Sequence, residues 1–498
     1  MTVQSDGPGG LEAVRRAGIE TTGIEIVDES ERTAKPSDLF WPWFAANVSV
    51  FGISYGSYLL WAGISWWQAS LVAVVGITVS FIACGLVAIA GKRGSAPTMI
   101  LSRAPFGVVG QKLPGVFSWI ISIGWETFLA IMATLATATV FRELGWSSGT
   151  TTKVLAMAVI AALIVAASVA GYHVIIRFQS VLTWLTGLAT IVYIALTLDQ
   201  IDIDALTAMP NGSMQAVVGA FVMVMTAFGF GWINIAADWS RYQRRGTSGG
   251  RIVLWNTIGG ALAPVVLVLY GIMLAGSRPD LQDGIANDPI GTLATILPTW
   301  FLVPFLVASV LALVSGAVLG IYSSGLTLLS LGVKIPRPAA AFVDGVILTL
   351  GTIYVVFVAQ TFLAPFQSFL ITLGVPIGAW AGIVIADIAL RKHDYDEPAL
   401  FDPKGRYGAV NWPAIATLVG ASVVGWGLVV NAYPADVTWN NWQGYLLEPL
   451  NLAEWNSETL EWSGAWAFAN LGVLFAFVIG FVVTLVVQRG RVRRQESV

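Results

Sequence analysis

The sequence predicts an all-α membrane protein of twelve transmembrane helices. Three observations carry this expectation: an apolar composition with few charges, apolar stretches of spanning length, and basic residues sorted to one side. Of 498 residues, 56% are hydrophobic and 11% charged, with a mean hydropathy of +0.75. Soluble domains carry about 25% charged residues, so a chain this apolar needs lipid around it. The net charge of −3 says less than the side on which each charge falls. Because the basic residues are strung along many short loops, they form no nucleic-acid footprint. Cys84 is the single cysteine, which excludes an intrachain disulfide and reads as a small buried hydrophobe.

Crossing a bilayer takes about 20 apolar residues. Spans 1 to 12 are expected near 38–60, 66–90, 115–141, 153–172, 177–198, 214–237, 252–275, 296–331, 338–358, 362–389, 412–432 and 464–488. The long eighth stretch has room for a kink at Pro304. Residues 1–36 are polar, mixed in charge and without an apolar core near the start, and read as a cytoplasmic tail. Residues 37–432 then form a core of spans 1–11, 433–463 an extracellular loop, 464–488 span 12, and 489–498 a cytoplasmic tail.

On this plan 23 of the 26 Lys and Arg face the cytoplasm. Successive inner segments hold Arg15, Arg16, Arg32 and Lys35; Lys92, Arg93, Arg103 and Lys112; and Arg177. They continue with Arg241, Arg244, Arg245 and Arg251; Lys334 and Arg337; Arg391, Lys392, Lys404 and Arg406; and Arg489, Arg491, Arg493 and Arg494. Only Arg142, Lys153 and Arg278 fall outside. The positive-inside rule then places both termini in the cytoplasm of a plasma-membrane protein. The outer loop has no Lys or Arg but holds Trp439, Trp442, Trp455 and Trp462, which suit an interfacial aromatic belt or a lid.

If spans 1–5 and 6–10 are repeats, their odd number inverts the second copy. Both leading spans are rich in small residues at mid-depth: Asn47, Ser49, Gly52, Ser54, Gly56 and Ser57 in span 1, and Gly229, Gly231 and Asn234 in span 6. Interrupted helices at matching places point to a transport site, whereas small residues can also serve only close packing.

Glu126, amid Ser122-Ile123-Gly124-Trp125-Glu126-Thr127 of span 3, is the sharpest single signal. An acid at the bilayer centre costs about 2.5–3.5 kcal/mol on insertion scales, so it needs a partner, a cavity or a proton. Three roles fit: binding substrate N–H groups, carrying a coupling proton, or bonding one helix to another. Trp125 and Trp232 each follow a glycine, which leaves space for a flat ring; they can sandwich a planar heterocycle or simply fill the core. Each aromatic pairing adds about 0.5–1.5 kcal/mol, well short of the roughly 8 kcal/mol of micromolar binding. Asp238 before Arg241, and Asp387 before Arg391, read as ion pairs at helix ends. No Walker loop, CxxC, HExxH or GxSxG motif is present, which argues against an enzyme or a direct ATP drive.

The chain resembles the nucleobase–cation symporter-1 family, in its bacterial purine–cytosine permease branch. The resemblance rests on Leu39-Phe40-Trp41-Pro42-Trp43-Phe44-Ala45-Ala46-Asn47, Ser102-Arg103-Ala104-Pro105-Phe106-Gly107, Gly124-Trp125, and Gly231-Trp232 through Ala236-Ala237-Asp238-Trp239. It continues with Ile321-Tyr322-Ser323-Ser324-Gly325-Leu326, Trp380 to Asp387, and Val410-Asn411-Trp412. It implies a LeuT-type five-plus-five inverted repeat with two extra helices, and a ligand held between aromatic residues of spans 3 and 6. Trp125 matches the first; Phe228, Phe230 and Trp232 are all in reach of the second. Leu129 stands where the family often has Asn or Gln, and Ala317 and Gly320 stand near its span 8 asparagines, so Glu126 is left as the polar reader. Sodium in relatives is held at positions matching Gly52, Tyr55, Ala312, Ser315 and Gly316; Gly316 has no hydroxyl, and the coupling ion is therefore sodium or a proton on Glu126.

The expectation is a cation-coupled symporter importing cytosine or a purine by alternating access. It has no cofactor, and its partners are a small-molecule substrate and lipid. Candidate substrate-binding residues are Asn47, Gly52, Ser54, Ser122, Trp125, Glu126, Phe228, Phe230 and Trp232. A same-fold carrier for allantoin, hydantoins or amino acids is the alternative, and a non-transporting receptor is the alternative of another class. Either ion can supply about 2.3 kcal/mol per charge per 100 mV, roughly fifty-fold accumulation.

Overall fold

The structure is a computed structural model describing residues 23–359 and 363–497; the start of the expected N-terminal tail, with Arg15 and Arg16, lies outside the described residues. Helices stand at each of the twelve expected places. Among the described residues, nine are long and apolar enough to cross a membrane unaided. The other three are the divided span 1, Phe40–Asn47 and Phe51–Trp61; the short Trp412–Trp426; and Gly472–Val487, bent by 56° into Arg489–Glu496. Span 8 is one helix, Thr299–Ser330, with Pro304 inside it.

Local chemistry sets the helix ends. Span 2 (Trp66–Gly94) begins after Ser65, whose backbone N–H donates to Gln68 Oε1 at 3.0 Å, a reciprocal cap of the first turn. It stops where Ser95 turns left-handed, with Lys92 and Arg93 against the negative end of the helix dipole.

Span 5 (Tyr172–Thr197) shows what surrounds the bundle. Val181, Trp184, Leu188 and Ile191, spaced along one helical face, are between 63% and 72% exposed. Gln179, Leu182, Thr186 and Tyr193 on the other face are buried. An apolar outer stripe with polar groups turned inward is the pattern of a helix whose solvent is lipid.

Inside the bundle, span 3 (Lys112–Glu143) packs along span 8, span 2 along span 7 (Gly249–Ser277), and span 10 (Leu363–Leu390) along span 12. Spans 1 and 7 touch backbone to backbone. A Cβ on Gly56 would lie 2.7 Å from Gly271 Cα, and one on Gly271 would lie 2.8 Å from the Ile53 carbonyl carbon. Without a hydrophobic drive between helices in lipid, such close approach supplies the packing.

Basic residues of separate loops gather at one end of the bundle. Glu397 Oε1 accepts from Arg32 at 2.9 Å and from Arg245 at 2.6 Å, joining the N-terminal segment to the 6–7 and 10–11 loops. Arg93 donates to the Ile388 carbonyl, and the Val27 N–H to the Ser95 carbonyl. The Asp387–Arg391 pair is buried and bidentate at 2.7 and 2.8 Å, as expected. Asp238 differs: it forms no direct pair with Arg241 and accepts from the Thr98 N–H (2.7 Å) and hydroxyl (2.8 Å).

The last two spans are shorter than the sequence suggests. Residues 427–432 and 464–471 leave the α-helix because asparagine side chains compete for the backbone. Asn431 Nδ2 donates to the Val437 carbonyl at 2.6 Å, and Asn470, itself left-handed, accepts from the Val430 N–H at 3.2 Å. The outer loop also holds an unforeseen hairpin, Glu454–Asn456 with Glu461–Ser463, pairing Trp455 with Trp462. Asn440 and Gln443 bind this loop to Ser368 and Thr372 of span 10.

The replacement Gly56→Ala is expected to destabilise the protein by about 1–3 kcal/mol through overpacking. Leu188→Ala, on the lipid face, should leave stability nearly unchanged. Melting curves in detergent check both.

Candidate functional site

The site grows from two places where the chain stops being helical at mid-depth. In span 1 the helix ends at Asn47 and restarts at Phe51, with Val48 at φ −82°, ψ 74°. The freed Ala45 carbonyl faces the Ser315 hydroxyl of span 8 at 3.0 Å. That hydroxyl also meets the Gln179 side-chain oxygen, and Gln179 Nε2 donates to the Ser315 carbonyl at 3.0 Å.

In span 6, Met214–Ala227 ends at Phe228, whose φ of −101° and ψ of −103° break the helix. The Gly229 N–H then donates to Ser80 Oγ at 3.0 Å, so close that a Cβ on Gly229 would strike the Ser80 backbone. Further on, Asn234 Nδ2 donates to Ser118 Oγ (2.8 Å) and Ser122 Oγ (3.1 Å), tying span 6 to span 3.

Between the breaks lies a cavity of about 80 Å³. It brings together Asn47, Gly52, Ser122, Trp125, Glu126, Phe228 and Trp232 from the expected substrate set. Ser54 and Phe230 are not part of its wall. Ser54 is buried in the helix packing, and Phe230 turns the other way, against Phe477 of span 12 at 5.4 Å. Phe228 and Trp232 line the cavity from either end of the short turn Gly229–Trp232.

The aromatic walls are fixed from behind. Trp125 stands edge-on to Phe128 (5.7 Å, 83°) and Phe366 (5.3 Å, 82°), and Trp232 edge-on to Trp43 (6.0 Å, 76°). Trp125 and Trp232 line the same cavity. Trp125 Nε1 is buried and has no hydrogen-bond partner. The glycine argument holds on one side only. A Cβ on Gly231 would meet Trp125 Nε1 at 3.6 Å, so that space faces the cavity. The space at Gly124 is filled by Phe369 of span 10.

Glu126 is 1% exposed, and neither carboxyl oxygen has a hydrogen-bond partner. It lies on Gly320 of span 8: a Cβ there would come within 2.6 Å of Glu126 Cγ and 2.9 Å of Oε1. The missing side chain at Gly320 is therefore what makes room for the acid.

Of the possible sodium positions, Gly52, Tyr55, Ala312 and Gly316 line the cavity, and Ser315 sits behind it, turned to Ala45 rather than to Gly52 or Tyr55. This set offers the Ser315 hydroxyl, already engaged, the Tyr55 phenol and backbone carbonyls. A hard cation takes several oxygens, so the set fits sodium weakly. Leu129, noted in the sequence for its missing amide, lies in the wall; residues that the sequence reading passed over include Phe51 and Ile235 in the wall, and Gln179 behind Ser315. It also passed over Asp344 of span 9 (Arg337–Phe357), a fully buried acid in an apolar helix. Asp344 carries the same signal that marked Glu126.

Comparison with known proteins agrees with this architecture. The sequence profile of permeases for cytosine/purines, uracil, thiamine and allantoin matches residues 26–447. A putative purine-cytosine permease, YxlA of Bacillus subtilis (strain 168), is 24% identical over 401 residues, covering 79% of this chain and 84% of that protein. Mhp1, a nucleobase-cation-symport-1 family transporter in a closed conformation with bromovinylhydantoin bound, superposes with a TM-score of 0.71 at 18% identity, over 96% of each chain. A Na+-coupled sialic acid symporter in a substrate-bound outward-open state superposes with a TM-score of 0.57 at 13% identity, over 96% of each chain. The fold is the LeuT-type inverted repeat, and this chain belongs to the nucleobase–cation symporter-1 family of membrane permeases.

Proposed function

We propose that this protein imports a planar nitrogen heterocycle, with cytosine and purine bases as the leading substrates, by alternating access in the plasma membrane with both termini cytoplasmic. One observation carries the reading: Trp125 and Trp232 line a single cavity whose polar groups include the unpaired Trp125 N–H and the Glu126 carboxyl. A flat base stacks on the rings, accepts from the indole N–H through a ring nitrogen or carbonyl oxygen, and offers its own N–H groups to Glu126. An aliphatic amino acid or sialic acid has no flat face to present and would leave the rings unused.

The coupling cation is proposed to be a proton held by Glu126. Its carboxyl lines the cavity proposed for the base, and the sodium positions offer no carboxylate and only one small hydroxyl, that of Ser315, which is already engaged. Sodium is the second reading, favoured by the Ala45 carbonyl and the Ser315 hydroxyl converging at the break of span 1.

The replacement Trp125→Ala should weaken cytosine binding about tenfold or more, roughly one stacking interaction with its buried area. Calorimetric titration of the purified protein measures this, and an unchanged Kd defeats the stacking role. In proteoliposomes without sodium, an inward proton gradient should drive labelled cytosine accumulation, and Glu126→Gln should abolish that drive. Uptake that requires sodium and ignores pH would assign coupling to the span 1–span 8 site.

A further inference from the structure

Ser122 differs from other hydroxyls of span 3. Thr134 and Thr137 donate to the carbonyls four residues back, those of Ala130 and Ala133, each at 2.8 Å. This is the common arrangement of a hydroxyl inside an apolar helix. For Ser122 the matching carbonyl is that of Ser118, and the Asn234 side chain of span 6 already approaches it, with Nδ2 at 3.4 Å. The same nitrogen donates to Ser118 Oγ at 2.8 Å and to Ser122 Oγ at 3.1 Å. Accepting from Asn234 is the one hydrogen bond that Ser122 makes among the described residues.

The Ser118 carbonyl also fixes which end of the Asn234 amide faces span 3. A carbonyl only accepts, so the nitrogen and not the oxygen belongs beside it. Asn234 is 2% exposed and Ser118 is fully buried, so solvent does not compete for these groups. A hydroxyl that accepts one hydrogen bond becomes a stronger donor of its own hydrogen. Ser122 lines the cavity, and the cavity is where that hydrogen is available.

Ser122 stands three residues before Trp125, and side chains at that spacing are neighbours on a helix. Span 6 draws their polar atoms together as well. Trp125 Nε1 lies 3.6 Å from where a Cβ on Gly231 would be, and Ser122 Oγ lies against Asn234, three residues further on. Trp125 Nε1 is likewise without a partner. Two available donors thus border one stretch of the cavity. A carbonyl oxygen has two lone pairs and can accept from both. A ring nitrogen has one, and leaves a buried donor unpaired.

We infer that Asn234 is a positioning residue that holds the Ser122 hydroxyl as a donor beside the Trp125 N–H, and that this pair selects heterocycles carrying a ring carbonyl. The preferred substrates are then oxo bases such as cytosine and hypoxanthine, with adenine and unsubstituted purine disfavoured. Glu126, one turn after Ser122 on the same face of span 3, accepts an N–H of the same ligand. The inference deepens the heterocycle reading above and rests on it.

Calorimetric titration of the purified full-length protein with cytosine, hypoxanthine, adenine and purine tests it. In the wild type the two oxo bases should bind about tenfold tighter or more than the other two, the effect of one buried donor left unpaired. Ser122→Ala should lower affinity for the oxo bases about tenfold and change that for adenine less than about twofold. Ser122→Thr, which keeps the hydroxyl, should retain the gap. Asn234→Ala releases the Ser118 carbonyl to the Ser122 hydrogen and should narrow the gap as Ser122→Ala does; four ligands weakened alike would reject its positioning role. The wild-type comparison needs no variant, so it decides the matter should a variant fail to fold. Equal wild-type affinity for hypoxanthine and purine, or an oxo preference untouched by Ser122→Ala, overturns the inference and leaves the stacking role of Trp125 standing. A wild type that binds none of the four bases overturns the heterocycle reading itself, and this inference with it.

Discussion

Backbone amides and carbonyls released from a helix at membrane depth have no water to bind, and each costs several kcal/mol if left alone. The breaks of spans 1 and 6 exist only because neighbours answer them. Ser315 and Gln179 meet the carbonyl end of the first, and Ser80 meets the amide end of the second. Those neighbours lie on spans 8, 5 and 2, so the broken segments dictate which helices must surround them. The cavity is the space left over when that demand has been met. Its aromatic walls follow from the same demand, since Phe228 and Trp232 sit at and just past the interruption of span 6.

Much of this was legible in the chain itself. Hydropathy located each span, and the partition of basic residues foreshadowed the cluster that joins Arg32, Arg245 and Glu397 at one end. A lone acid and two Gly-Trp pairs marked three residues that meet in one cavity. The misses have physical causes. At Phe228 the backbone leaves helical angles, so helical phase no longer says which of Phe228 and Phe230 turns inward. The void beside Gly124 belongs to Phe369, a contact across more than two hundred positions that no local pattern carries. Asn431 and Asn470 ended spans 11 and 12 by bonding across a loop, and average hydropathy does not register a single amide. Asp344 was passed over although it obeys the rule that singled out Glu126, because it follows no motif and adjoins no tryptophan in sequence.

Small residues serve two distinct purposes here. Gly56 and Gly271 let two backbones touch, which is a packing role. Gly320 instead makes room for a carboxyl, and Gly231 keeps a ring uncovered. The same absence of a side chain is thus structural in one pair of helices and chemical in another; only the identity of the nearest atom tells them apart.

The knot formed by Arg32, Arg245, Glu29 and Glu397 has a consequence for how the protein behaves in different surroundings. It joins three separate chain segments at one end of the bundle, so they cannot part without breaking it. Arg245 and Glu29 are 38% and 68% exposed, within reach of dissolved ions, and such contacts weaken as electrolyte rises. The Arg32–Glu397 pair, 2% and 17% exposed, is shielded from those ions, so rising salt would loosen the knot from its outer members inward.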